Sequence, residues 1–143
     1  MIDKYNKIWT LCDGGWSKGG TGIRIPMLHK INPATRVIEQ TFNLPADAKP
    51  SRLAINGTGD TILFINKGIW KLEVNQTSLG ERPFLTTDSH LYYSLAVDPK
   101  TSEIYLSDAI DYQQRGIIYR YSSPGAKIDS FKTGIIPGSF CFK

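Results

Sequence analysis

Apolar and polar positions alternate with a period of two over short stretches of this chain, and turn residues separate the stretches. A period of two is the spacing of a strand whose faces meet different surroundings. Leu53-Ala54-Ile55-Asn56, Gly57-Thr58-Gly59-Asp60 and Thr61-Ile62-Leu63-Phe64 read as strand, turn, strand, and an offset of 42 residues brings up Leu95-Ala96-Val97-Asp98, Pro99-Lys100-Thr101-Ser102 and Glu103-Ile104-Tyr105-Leu106. An abbreviated copy opens the chain as Ile2-Asp3-Lys4-Tyr5-Asn6 and Lys7-Ile8-Trp9-Thr10-Leu11, and Phe140-Cys141-Phe142 matches Leu95-Ala96-Val97 at an offset of 45. The pattern predicts strands at about 7–12, 27–31 and 36–42, then 52–56, 61–66, 69–74 and 83–85, then 95–98, 103–107, 117–121 and 127–131. Lys67-Gly68 reads as a two-residue hairpin and 122–126 as a turn. No stretch of comparable length has helical periodicity.

An all-β repeat of this length, about four strands to the unit, predicts a β-propeller of about three four-stranded blades. The blades fall at about 1–51, 52–93 and 94–138, with 139–143 as the first strand of a further blade. A closed propeller needs at least about four blades. Met1 abuts the strand residues Ile2-Asp3, so the chain reads as part of a longer propeller.

Composition agrees with a globular β domain: 143 residues, 41% hydrophobic and 11% aromatic, with 13 Gly and 8 Pro. No apolar run approaches the roughly 20 residues that span a bilayer. The formal charge of +4 comes from scattered Lys and Arg without a basic run, which argues against nucleic acid as a partner. Cys12 and Cys141 fit no zinc spacing and read as small core residues.

In a propeller the first strand of each blade lines the channel, and one face of the disc collects the loops from second to third strand and from each blade to the next. Those loops are expected at 13–26, 66–68 and 108–116, and at 43–51, 86–93 and 132–138. The first is glycine-rich and carries Trp16 and Lys18; the third carries Asp111, Tyr112, Gln113 and Arg115; another carries His90 and Tyr92. Large aromatics with a few polar groups are the material of small-molecule sites, which makes these eight residues the candidate ligand-binding set. Each has a packing alternative. Trp16 can fold back over its blade edge, the aromatics of His90-Leu91-Tyr92-Tyr93 can belong to the core, and Asp111 can pair with Arg115. Trp9 and Trp70 alternate inside strands and read as sheet packing.

Catalysis finds little support in the residues. Neither His29 nor His90 lies in a recognisable nucleophile motif, the carboxylates show no paired pattern, and Gly19-Gly20-Thr21-Gly22 is followed by Ile23-Arg24-Ile25-Pro26, which cannot open a phosphate-binding helix. No metal site or cofactor is expected.

Three segments carry a family likeness. Asp3 to Trp9, Asn56 to Phe64 and above all Ser107-Asp108-Ala109-Ile110-Asp111-Tyr112-Gln113-Gln114-Arg115-Gly116 with Ile118-Tyr119-Arg120-Tyr121 resemble the C-terminal half of YncE-like propeller lipoproteins of Bacteroidetes; Gly134 to Phe142 resembles that family's terminus. The family includes proteins labelled surface-layer proteins and a BtuG-type branch that captures cobalamin for a TonB-dependent receptor. The resemblance implies a seven-bladed parent lipoprotein on the outer-membrane surface, its lipid anchor outside this chain, that binds a small molecule without catalysis, a corrinoid being the ligand it points to. The alternative is a surface-layer scaffold that engages proteins and takes no small ligand. Exposed blade faces also predict self-association of the chain.

Overall fold

The computed structural model describes residues 1–15, 24–87 and 89–143, and among them there are ten strands and no helix. Strands β1 (Ile8–Cys12), β2 (Met27–Asn32) and β3 (Val37–Asn43) form a first sheet, and β4 (Ser51–Ile55), β5 (Thr61–Ile65) and β6 (Ile69–Glu73) a second. A third holds β7 (Tyr92–Val97), β8 (Ile104–Asp108), β9 (Arg115–Tyr121) and β10 (Lys127–Ile135) in sequential order. All pairings are antiparallel. Single bridges extend the shorter sheets, Ile2 with Ile8 in the first and Ile69 with Leu85 in the second.

The second sheet lies between the other two, which explains why β5 reads as an almost unbroken apolar run. Its pleat sends Ile62 and Phe64 into one cluster with Trp9, Leu28, Phe42 and Leu72, while Leu63 and Ile65 enter another with Leu95, Ile104, Leu106 and Tyr119. Both faces are buried, so neither can be polar. Phe64 is fully enclosed, stacked on Trp70 at 6.4 Å.

Each sheet turns from its innermost strand to the next by the same device. Asp3 Oδ1 accepts from the Tyr5 and Lys7 amides, each at 2.9 Å, and Asn56 Oδ1 from the Asp60 and Thr61 amides, each at 3.0 Å. Asp98 Oδ1 accepts from the Lys100 amide at 2.7 Å and the Thr101 amide at 3.3 Å. A short side chain that accepts its own turn's N–H groups supplies the bonds the ladder cannot. The three turns also pack on one another. A Cβ on Gly57 would stand 1.7 Å from the Pro99 carbonyl oxygen, and one on Gly59, at φ +69°, would stand 2.9 Å from the Lys4 nitrogen. Only glycine fits at those two places.

The structure shifts several expected boundaries. The innermost strand of the third sheet begins at Tyr92 instead of Leu95. Strand β10 runs to Ile135 through two register shifts, so most of the expected 132–138 loop is strand. The expected strand at 83–85 contributes one bridge, and the β5–β6 connection has three residues, 66–68. Residues 139–143 pair with no described strand; Phe140 and Phe142 instead lie against the Tyr105 ring at 5.9 and 5.2 Å. Both cysteines are exposed and free, contrary to the core reading. Cys12 ends β1 beyond the reach of the Ile2 bridge, and Cys141 lies in that C-terminal segment, so neither has a sheet to cover it.

Candidate ligand-binding face

Register places the candidate loops at one end of the sheets. The first residue of β7 opposes the last of β8, Tyr92 with Asp108, and the first of β4 opposes the last of β5, Ser51 with Ile65. Loops that enter an inner strand therefore meet loops that leave its neighbour. Both inner strands carry a register shift at this end, between Ser51 and Ala54 and between Tyr92 and Ser94. A bulge turns a side chain out of the alternation and re-aims it. Here the re-aimed residues are Arg52, at φ 56°, and Tyr93.

Arg52 and Tyr93 form one half of the site. The Arg52 guanidinium lies 5.0 Å from the centre of the Tyr93 ring, and Arg52 Nε donates to the Tyr93 carbonyl oxygen at 2.8 Å. Tyr112 meets the same ring edge to face at 5.8 Å and 87°, with 47% of its own surface exposed. Its loop is held in a costly conformation, since Ile110 and Tyr112 both have positive φ, 57° and 63°. Strain of that kind persists where surrounding bonds over-determine it: Ile110 N donates to Asp108 Oδ1 at 2.8 Å and Tyr112 N to the Ala109 carbonyl at 2.9 Å. Beside Arg52, a groove of about 560 Å³ runs between β1 and β4, from Thr10 to Asp13 on one wall and Pro50 to Leu53 on the other. That volume is in the range of small-molecule sites.

Tyr92, one residue away, faces the opposite side and builds the other half. It is buried among the apolar residues between the second and third sheets, and its hydroxyl lies 3.1 Å from that of Tyr121. Burial pushes the Tyr92 phenol far above its ordinary range, and burial followed by the Asp108 charge raises Tyr119. Both hydroxyls stay protonated at neutral pH. The His90 ring meets that of Tyr119 at 4.6 Å, tilted by 44°, and its Nδ1 stands 3.0 Å from Asp108 Oδ2. Asp108 is 4% exposed, and its Oδ1 accepts from the Leu91 amide at 3.1 Å as well as from Ile110.

Two members of the candidate set have a structural task instead. Asp111 does not pair with Arg115. It closes its own turn, accepting from the Gln113 and Gln114 amides at 2.9 and 2.8 Å and from the Gln114 side chain at 2.8 Å, which holds its carboxyl at about 2. Arg115 donates through Nε to the Thr133 carbonyl at 2.9 Å and pins β10. Gln113 is exposed on that turn. Trp16 and Lys18 lie outside the described residues. Arg52, Tyr93, Asp108 and Tyr119 are the site residues that the sequence did not single out. Arg52 had a readable signal, because it sits on an inner strand where channel-lining residues belong. Among the described residues no group of three or more His, Cys, Asp or Glu side chains could hold a metal ion.

No protein-family model matches the chain, and no curated protein does. Solved structures do. A quinonprotein alcohol dehydrogenase-like protein from Bacteroides thetaiotaomicron superposes with a TM-score of 0.69 at 18% identity, over 93% of this chain and 32% of its own. A protein of unknown function from Bacteroides caccae gives 0.58 at 13%, over 88% and 40%, and the hydrazine synthase of Kuenenia stuttgartiensis gives 0.62 at 10%, over 86% and 41%. At these identities the likeness is one of fold: all-β and propeller-like. The chain spans less than half the length of each of these proteins.

Proposed function

We propose that these sheets are three blades of a larger, seven-bladed propeller that captures a small molecule at the cell surface without transforming it, and that the ligand is a corrinoid passed to a TonB-dependent receptor. The observation that carries the binding reading is the Arg52, Tyr93 and Tyr112 set, a strained and partly exposed aromatic rim beside a groove of suitable size. A corrin is a wide, largely apolar disc with amide arms. Aromatic faces and a guanidinium suit it, the guanidinium as donor to amide oxygens. The family resemblance supports the choice of ligand, and the Bacteroides neighbours agree with it at the level of fold.

The surface-scaffold reading has one observation in its favour. The outer strand β10 is exposed along almost its whole length, with Ile128, Phe131 and Ile135 uncovered. Calorimetric titration of the complete propeller with cyanocobalamin separates the two. Binding that weakens by about 1 to 3 kcal/mol in Tyr112→Ala and in Trp16→Ala supports capture at this rim. No heat of binding from the parent protein overturns the corrinoid reading.

A further inference from the structure

The repeat shows where the third sheet departs from its own pattern. In the second sheet the loop entering the inner strand is clamped by Lys49 N donating to Asn66 Oδ1 at 3.2 Å; at the same offset of 42 residues, Leu91 N donates to Asp108 Oδ1 at 3.1 Å. A neutral amide performs the clamp in one unit, and a carboxylate performs it in the other. The same offset puts His90 where Ala48 stands. Burying a carboxylate is more costly than burying an amide, and the clamp does not need the charge. What the charge adds is the bond to His90.

That bond fixes the imidazole. Asp108 already accepts two backbone N–H groups through Oδ1, so its Oδ2 meets His90 Nδ1 as an acceptor and Nδ1 carries the proton. Tyr119 Oη stands at the longer distance of 3.5 Å from Nδ1, so Asp108 Oδ2 is the nearer acceptor for that proton. Nε2 is then a bare acceptor, on a side chain that keeps 30% of its surface, and among the described residues nothing donates to it. We propose that His90, held by Asp108 in the Nδ1–H form, accepts a hydrogen bond from the ligand and selects molecules that present a primary amide or hydroxyl at this position. Asp108 is a positioning residue, and Tyr119 packs against the imidazole at a tilt. The proposal rests on the reading of this face as a ligand site.

Asp108→Asn tests it, because the second sheet shows that asparagine keeps the clamp. The new side-chain NH₂ donates to His90 Nδ1 and drives the neutral ring to the Nε2–H form, which turns the acceptor into a donor. Nitrogen-15 spectra of the side chain are expected to show the Nδ1–H form in the parent protein and the Nε2–H form in the variant, at unchanged melting temperature. Cyanocobalamin affinity is expected to fall about tenfold. An Nε2–H ring in the parent overturns the proposal, as does unchanged affinity in a variant whose tautomer has switched. If the parent does not bind cyanocobalamin, the corrinoid reading fails separately. Titration with acetamide and propan-2-ol then decides the acceptor: movement of the His90 Nε2 resonance supports it, and no movement overturns it.

Discussion

Several side chains here are used by the backbone before any ligand can use them, and the carboxylates show it best. Asp60 accepts from the Asn56 side chain at 2.8 Å and from the Thr61 hydroxyl at 3.0 Å, with Thr58 adding to the same effect, and its carboxyl is lowered to about 2. Asp111 is held equally low by Gln114 and the turn amides. Both groups have a folded pKa below the ordinary 3.8. Their contribution to folding is therefore present above about pH 4 and lost as the pH falls through about 2. Carbon-13 titration of the two carboxyls should give midpoints near 2; a midpoint near 4 for Asp111 would return it to the pool of side chains free to meet a ligand. Asp3 predicts a different outcome, because its Oδ2 also accepts from the buried Trp9 Nε1 at 2.7 Å. Asp3→Ala strands that N–H and should lower stability by about 1 to 3 kcal/mol in urea unfolding, while Asp3→Asn should recover part of the loss.

At the scale of strands and turns, the alternation that the sequence displays is the alternation that packing demands. Strand β5 was legible because both of its faces are covered, and the turns were legible because Asp3, Asn56 and Asp98 recur at matching positions with the glycines that let neighbouring turns touch. Phe64→Ala should therefore cost about 3 to 5 kcal/mol, and Gly57→Ala should cost more than its lost flexibility could repay, since its Cβ meets the Pro99 carbonyl. The site was less legible, for reasons that are local. His90 and Asp108 lie 18 residues apart and meet only because Tyr92 opposes Asp108 across the β7–β8 ladder. Tyr93 was hidden by a bulge, which breaks the alternation from which facing is read. Asp111 and Arg115 looked available for the opposite reason, because turn bonds to backbone amides and carbonyls leave little trace in residue type.

The whole molecule presents two end sheets that differ. Away from the exposed strand β10, the far side of the third sheet carries some of its own chain: Ser107 donates to the Pro137 carbonyl at 2.6 Å, Phe140 and Phe142 close over Tyr105, and Arg120 binds Glu103 and Asp129 beside them. The first sheet has no such cover among the described residues, and Val37 and Ile38 on its outer strand are at least half exposed, like Met1 and Ile2 on its inner edge. Its inner edge pairs only near Ile8, so the backbone of Thr10 to Cys12 is open to another strand. An apolar surface next to an unpaired edge is the combination that draws a second chain. The isolated chain should therefore self-associate at micromolar concentration through the first sheet, and Ile38→Lys should reduce association more than Ile128→Lys on the third. Light scattering and sedimentation read both effects. A monodisperse monomer, or equal effects from the two substitutions, would show that the open edge of β1 does not direct assembly.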